Sequence, residues 1–287
     1  KIAGPVVWLT GVLHGDEPGG GAVIKKLFEE LEKVELLKGS LQAFPIINES
    51  GLEKKVRELP ETGEDLNRLF PGRLGGTIGE EITYQVWQTI TASKPVLVLD
   101  LHNDWVNSIP YTLIDDQENM LADTYDKLKQ IALATGLVVV QENIKTLGQT
   151  LSGSLTKSGI PALTLELGGA HVIDEKNVRI GVNAISRTLG QLGLITEKIF
   201  PEVKTLDVEV PLSSGVGVTT GKIFNYSDEP RPTMVGRLQI LVKPGQMVKK
   251  GDLVAIIDNE EKLFATNKAI VLGFTDETIA QPGKEIL

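Results

Sequence analysis

The chain has 287 residues, 41% of them apolar and 23% charged, the balance of a folded chain with length for two domains. Its 29 basic and 38 acidic side chains leave a net charge of -9, which offers no broad surface to nucleic acid or an anionic membrane. No apolar run approaches the ~20 residues a membrane span needs. There is no cysteine, so disulfides, thiolate metal sites and cysteine nucleophiles are excluded, and any metal must be held by His, Asp or Glu. The sequence opens at Lys1 without Met and turns apolar by Pro5, the look of a trimmed chain, with the cytoplasm as its expected location.

Residues 4–13 are β-branched and apolar, the pattern of a strand buried on both faces, and suggest a parallel sheet. After a Gly-rich break, Val23, Ile24, Leu27, Phe28, Leu31 and Val34 keep helical spacing with charged residues between them. A strand over 41–47, a long polar loop, a helix over 80–93 and a strand over 95–101 follow. The pattern continues with a helix over 116–135 and strands over 137–141 and 162–167. Asp174 is placed to cap a last helix, with Val178, Val182, Ile185, Leu189 and Leu192 on one face. Strands alternating with helices predict an α/β layer fold over 1–200. Past Phe200 short β-rich runs alternate with Gly and Pro, which predicts a smaller all-β domain over 201–287.

The chain has three histidines, and two stand at the carboxyl ends of predicted buried strands, where open α/β sheets place ligands. His14 and Glu17 lie in a Gly-rich turn; a two-residue gap there lets an imidazole and a carboxylate face one ion, although the same pattern also serves a capped turn. Asp100 and His102 are two apart in a strand and share a side. Asp100 is a neighbour of the metal on one reading and a carboxylate satisfied by loop amides on the other. Together His14, Glu17 and His102 make the His/His/Glu composition of catalytic zinc sites. Glu166, at the end of another apolar strand, is placed for a general base or for a plain pairing role. His171 reads as a partly exposed turn residue. Asn67 and Arg68 in 63–72 (GEDLNRLFPG), with Arg57 upstream, can orient an anionic substrate or make surface ion pairs, and Asp65 can hold that loop. The glycines at 15–21 lack the Lys-Ser/Thr of a phosphate loop, and no G-x-S-x-G elbow appears.

Taken in order, HGDE, DLNRLFPG, DLH and TLELG resemble the succinylglutamate desuccinylase/aspartoacylase family, relatives of the zinc carboxypeptidases. The resemblance implies a mixed sheet flanked by helices and one zinc ion per chain on His14, Glu17 and His102. It further implies Glu166 as the base, Asn67 and Arg68 on the substrate carboxylate, and an upstream arginine, assigned to Arg57, polarising the scissile carbonyl. Asn48 is followed by Glu49 where the family commonly has Pro. Residues 235–252 look like the lipoyl/biotinyl β-hammerhead of several members, but Glu261 stands where a carrier domain has its modified lysine. The expected activity is a zinc-dependent amidohydrolase that deacylates an N-acyl amino acid or similar carboxylate-bearing amide by a metal-activated water. A carboxypeptidase acting on peptides and a non-catalytic metal-binding regulator are the alternatives. The expected partner is that small molecule, with no nucleic acid and no membrane, and a homo-oligomer is compatible with the sequence.

Overall fold

The computed structural model describes residues 3–33, 36–117, 120–142, 149–196 and 222–287. Its first part runs β1 (Val6–Gly11), α1 (Gly19–Leu31), β2 (Ser40–Phe44), α2 (Glu49–Lys54), a 3-10 turn (Leu66–Arg68), α3 (Ile78–Ala92) and β3 (Leu97–Asp104). It continues through β4 (Asn107–Ser108), β5 (Pro110–Asp115), α4 (Ala122–Ala134), β6 (Val138–Glu142), α5 (Leu151–Lys157), β7 (Ala162–Gly169) and α6 (Glu175–Gln191). Short strands follow: β8 (Ile223–Asn225), β9 (Gly236–Ile240), β10 (Met247–Val248), β11 (Leu253–Ile257), β12 (Glu261–Phe264), β13 (Ala269–Ile270), β14 (Gly273–Phe274) and β15 (Ile279–Ala280). Among the described residues no helix is long and apolar enough to cross a membrane.

A seven-stranded sheet in the order β2-β1-β3-β7-β5-β6-β8 organises the first part. Its pairings are parallel except β5 against β7, so the sheet is mixed where the apolar strands alone suggested a parallel one. β9, β11, β12 and β15 form a separate antiparallel sheet with its own apolar core around Val254, Ala255 and Ile257. The expected boundary at 200/201 lies outside the described residues. β8, which follows it in sequence, pairs with β6 at the edge of the large sheet.

Local chemistry explains where several helices start. Thr77 accepts from the Glu80 amide while the Glu80 carboxylate accepts from the Thr77 amide, a reciprocal cap that starts α3. Asp174 caps α6 by accepting from Lys176 and Asn177, as its position predicts. The helix expected from 116 starts at Ala122 instead, because β5 runs to Asp115 and the Asp116 amide still donates to Glu142 of β6. α5, rich in Ser, Thr and Gly, has weak helical propensity. It forms because Thr150 caps it and because Leu151 and Leu155 are fully buried on the sheet.

The two faces of the sheet differ in kind. On one, α1, α4 and α6 cover Leu9, Leu99, Leu101, Leu163 and Leu165 with an unbroken apolar core. The other is covered in two pieces. Leu66 and Phe70 at the 3-10 turn, with α3 and α5, pack on Trp8, Val98 and Ala162, while Tyr226 and Leu272 of the C-terminal part pack on Tyr111, Leu113 and Val140. Between these patches the strands carry Asp100, His102, Thr164 and Glu166 on that face. Removing a fully buried side chain from the continuous core by Leu99→Ala is expected to cost about 2–5 kcal/mol in urea unfolding. The same truncation at the exposed Leu121 is expected to stay within about 0.5 kcal/mol.

Candidate metal centre

β1 delivers the first side chain through a strained turn. Val12, a buried β-branched residue, is held at φ 50°, which turns the chain sharply as it leaves the strand. The Glu17 amide then donates to the His14 carbonyl at 3.2 Å, closing a turn that brings Glu17 Oε1 to 2.7 Å from His14 Nδ1. Glycine is required inside it: a Cβ on Gly15 would stand 2.0 Å from the carbonyl carbon of Gly51 in α2. β3 delivers the second imidazole, and His102 Nδ1 lies 2.8 Å from Glu17 Oε2. One carboxylate therefore faces both rings, whose centroids are 5.0 Å apart.

One ligand atom from each of His14, Glu17 and His102 lies within 4.8 Å of the other two, and all three residues are buried. The rings are held from behind as well. His14 Nε2 is 3.1 Å from Asp65 Oδ1 and His102 Nε2 is 2.9 Å from Asp100 Oδ2, while Thr10 donates to the other Asp100 oxygen. With each Nε2–H given to a carboxylate, each Nδ1 is the nitrogen that can offer a lone pair. Without a cation both Nδ1 atoms need protons to meet Glu17; a divalent ion supplies the same charge, so the donor set fits such an ion. The electrostatics point the same way. Burial opposes charge on Glu17, yet His102 and His14 outweigh it and hold its carboxyl well below the usual range.

Glu166 stands on β7 beside His102, its register partner on β3, with Tyr111 opposite it on β5. Its Oε2 is buried and has no hydrogen-bond partner, an orphaned oxygen beside the cluster. Burial, reinforced by Asp104 and Glu17 against His102, pushes its carboxyl well above the ordinary value. Arg57 reaches the same centre, with Nη1 3.3 Å from Glu17 Oε1 and Nη2 3.1 Å from Asp65 Oδ2. Asn67 is buried; its Oδ1 accepts from the Leu151 amide at 2.8 Å, which leaves its NH2 group for other partners. Arg68 is exposed and donates to the Asn67 carbonyl. The structure thus brings His14, Glu17, His102, Glu166 and Arg57 together, with Asn67 and Arg68 on the adjoining 3-10 turn. His171 is exposed at φ 65°, and its amide donates to the Asp16 carbonyl.

Two contributors escaped the motif reading. Asn103 accepts from the Gly19 amide, donates to the carbonyls of Gly168 and Gly169, and gives its own amide to Glu17 Oε2 at 3.0 Å. It ties the start of α1 to the turn that follows Glu166. Asp104 continues the alternation of Asp100 and His102, a period-two signal that was present in the sequence.

The sequence profile of the succinylglutamate desuccinylase/aspartoacylase catalytic domain matches residues 3–192, well over half of the chain. The chain belongs to that family. The N-α-acetyl-L-2,4-diaminobutyric acid deacetylase of Halomonas elongata is 25% identical over 258 residues, which cover 88% of this chain and 70% of that protein. The product-bound ectoine utilization protein EutE (DoeB) of Ruegeria pomeroyi superposes with a TM-score of 0.76 at 20% identity, over 100% of this chain and 85% of its own. An aspartoacylase family protein of Mesorhizobium loti gives 0.78 at 20% identity, again over 100% and 85%. At that identity the two structures share the fold. The Halomonas elongata relative is named as a deacetylase, and the mixed sheet flanked by helices is consistent with the family fold.

Two measurements follow from this geometry. Asp65→Asn and Asp100→Asn, which remove the acceptors behind the imidazoles, are each expected to weaken binding of a divalent ion by about 10–100-fold in chelator competition. Asp115, buried on the same face with an unpartnered oxygen, has its carboxyl pushed up to about 6 by burial. A carboxyl raised on folding stabilises the fold below its unfolded value, and that contribution is lost as pH rises through the folded value. Stability is therefore expected to fall between about pH 4 and pH 6–7 in denaturant titrations, and Asp115→Asn to flatten that slope.

Proposed function

We propose that this chain is a zinc-dependent deacylase that hydrolyses the amide of an N-acyl amino acid. The observation that carries the reading is the convergence of His14, Glu17 and His102 on one point, with the orphaned carboxylate oxygen of Glu166 beside it. An ion bound there supplies Lewis acidity, lowering the pKa of water and polarising a carbonyl. His14, Glu17 and His102 hold it; Asp65 and Asp100 fix the two rings. Arg68 pairs with the substrate carboxylate and Asn67 donates its amide to it, which sets the scissile bond in register with the metal centre. Arg57 donates toward the carbonyl oxygen as negative charge develops there. Glu166 accepts a proton from the attacking water and returns it to the departing amine, a shuttle that suits a carboxyl whose burial raises its affinity for a proton.

The Halomonas elongata relative, named as a deacetylase of an N-acetylated amino acid, supports the reaction class. We read residues 1–200 as the catalytic unit and 201–287 as a β-rich unit, from which β8 is lent to the edge of the large sheet. Glu261, at the carrier-lysine position, accepts from the Thr233 amide and hydroxyl and from the Met234 amide, a structural tie that supports the absence of a swinging arm. Replacing Glu166 by Gln keeps the shape and removes the shuttle. With zinc restored, kcat on N-acetyl amino acids is expected to fall by about 10²–10⁴-fold while zinc stoichiometry stays the same. Near-normal turnover in that variant contradicts the assignment, and faster cleavage of short peptides than of N-acyl amino acids makes the protein a carboxypeptidase.

A further inference from the structure

Arg57 reaches the metal centre from a segment without regular structure. α2 gives way at Lys55 to a left-handed conformation, φ 56°, and residues 55–58 run irregularly to the bridge between Leu59 and Glu64. Neither a helix nor a sheet therefore aims the guanidinium, yet its Nη1 stands 3.3 Å from Glu17 Oε1 and its Nε donates to Asp65 Oδ2 at 3.1 Å. The backbone from which it grows has to be held in some other way.

Asn48 holds it. Its Nδ2 donates to the carbonyls of Arg57 and Glu58, each at 3.2 Å, one proton to each. Its Oδ1 accepts from the Gly51 amide at 2.9 Å and so caps α2. Its own amide donates to the Val12 carbonyl at 2.8 Å, and its carbonyl accepts from the Leu52 amide. The residue is 1% exposed, with every donor and acceptor engaged. It joins three pieces of chain: the strained exit of β1 that delivers His14, the start of α2, and the segment that carries Arg57. The Gly15 amide adds a longer bond, 3.4 Å, to the same Arg57 carbonyl.

A helix cap alone does not ask for this residue. Ser and Asp accept at an N-cap about as well as Asn does. What they lack is a pair of N–H donors, and among side chains of this reach only Asn combines that pair with an acceptor. Gly51 is matched to it, since a Cβ there would stand 2.5 Å from the Asn48 Nδ2.

We propose that Asn48 is a positioning residue for the reaction, a clamp that aims Arg57 at the scissile carbonyl by tying the Arg57 and Glu58 carbonyls to the exit of β1. The inference rests on the deacylase reading for what Arg57 does to substrate and on the hydrogen bonds alone for the clamp.

Asn48→Ser keeps an oxygen at the cap and removes both donors. On the zinc-restored full chain, its kcat for an N-acetyl amino acid is expected to fall by about 10–100-fold, with KM within about threefold and zinc stoichiometry unchanged, the effect of a misplaced but present group. In an Arg57→Ala background the same substitution is expected to cost less than about twofold, because no guanidinium is left to aim. An equal factor in both backgrounds marks a general structural role and overturns the proposal, as does near-normal turnover in Asn48→Ser or loss of its zinc. A second measurement does not depend on turnover. The Arg57 Nε–H held on Asp65 gives an NMR signal identified by its absence in Arg57→Ala, and its solvent exchange is expected to be at least about tenfold faster in Asn48→Ser. Unchanged exchange overturns the clamp. If wild type cleaves no N-acetyl amino acid, the deacylase reading fails, and the exchange measurement alone decides the clamp. If Asn48→Ser does not fold, Gly51→Ala, whose added Cβ displaces the same amide, takes its place in both measurements.

Discussion

The site depends on one buried carboxylate. Glu17 meets His14 with one oxygen and His102 with the other, and it also takes the Asn103 amide and an Arg57 N–H. A charge so enclosed is tolerable only when it is paired on every side. That need dictates the surroundings: two imidazoles, each backed by a further carboxylate, and a guanidinium shared with Asp65. The strained backbone at Val12 and the forced glycine at position 15 are consequences of the same demand, because the chain must reverse at once after β1 to bring Glu17 back over His102.

The sheet makes this arrangement affordable in stability. One face is largely apolar, with Thr112 bonded to Thr135 at the end of α4, and it is covered by three helices. The other face is freed to carry Asp100, His102, Glu166 and Asp115, groups that no continuous apolar core would accept. The C-terminal part covers the far end of that face through the Leu272 carbonyl, which takes the Ile109 amide, and through Tyr226, whose amide donates to Gln141. The polar strip is therefore bounded by apolar packing on both sides. The arrangement concentrates charge in low-dielectric surroundings, where one carboxylate or one guanidinium has a large effect on its neighbours.

Much of this was legible in the sequence, and the reasons differ by element. β3 and β7 were visible because strands buried on both faces are dense in Leu and Val, and a charged residue inside such a run marks itself: Asp100, His102 and Glu166 stood out on those grounds. The α6 cap was visible because Asp174 precedes a clean helical stripe. β5 was not, since it opens on Pro110 and pairs antiparallel to β7, its long-range partner, and strand direction leaves no local trace. α5 was hidden by its composition and exists through burial. The site residues that escaped, Asn103 and Asp104, act through contacts across 65 or more residues in one case and through charge beside Glu166 in the other. The first is not encoded by local spacing, whereas Asp104 continues the alternation of Asp100 and His102.

X-ray absorption spectroscopy of the zinc-loaded protein is the most direct test of the account. It predicts one ion per chain, with two imidazole nitrogens and a carboxylate oxygen at about 2.0–2.2 Å and solvent completing the shell. It also predicts that the imidazole scattering is halved in His14→Ala and in His102→Ala. A spectrum without imidazole ligands, or one that neither substitution changes, would place the ion elsewhere and contradict the account.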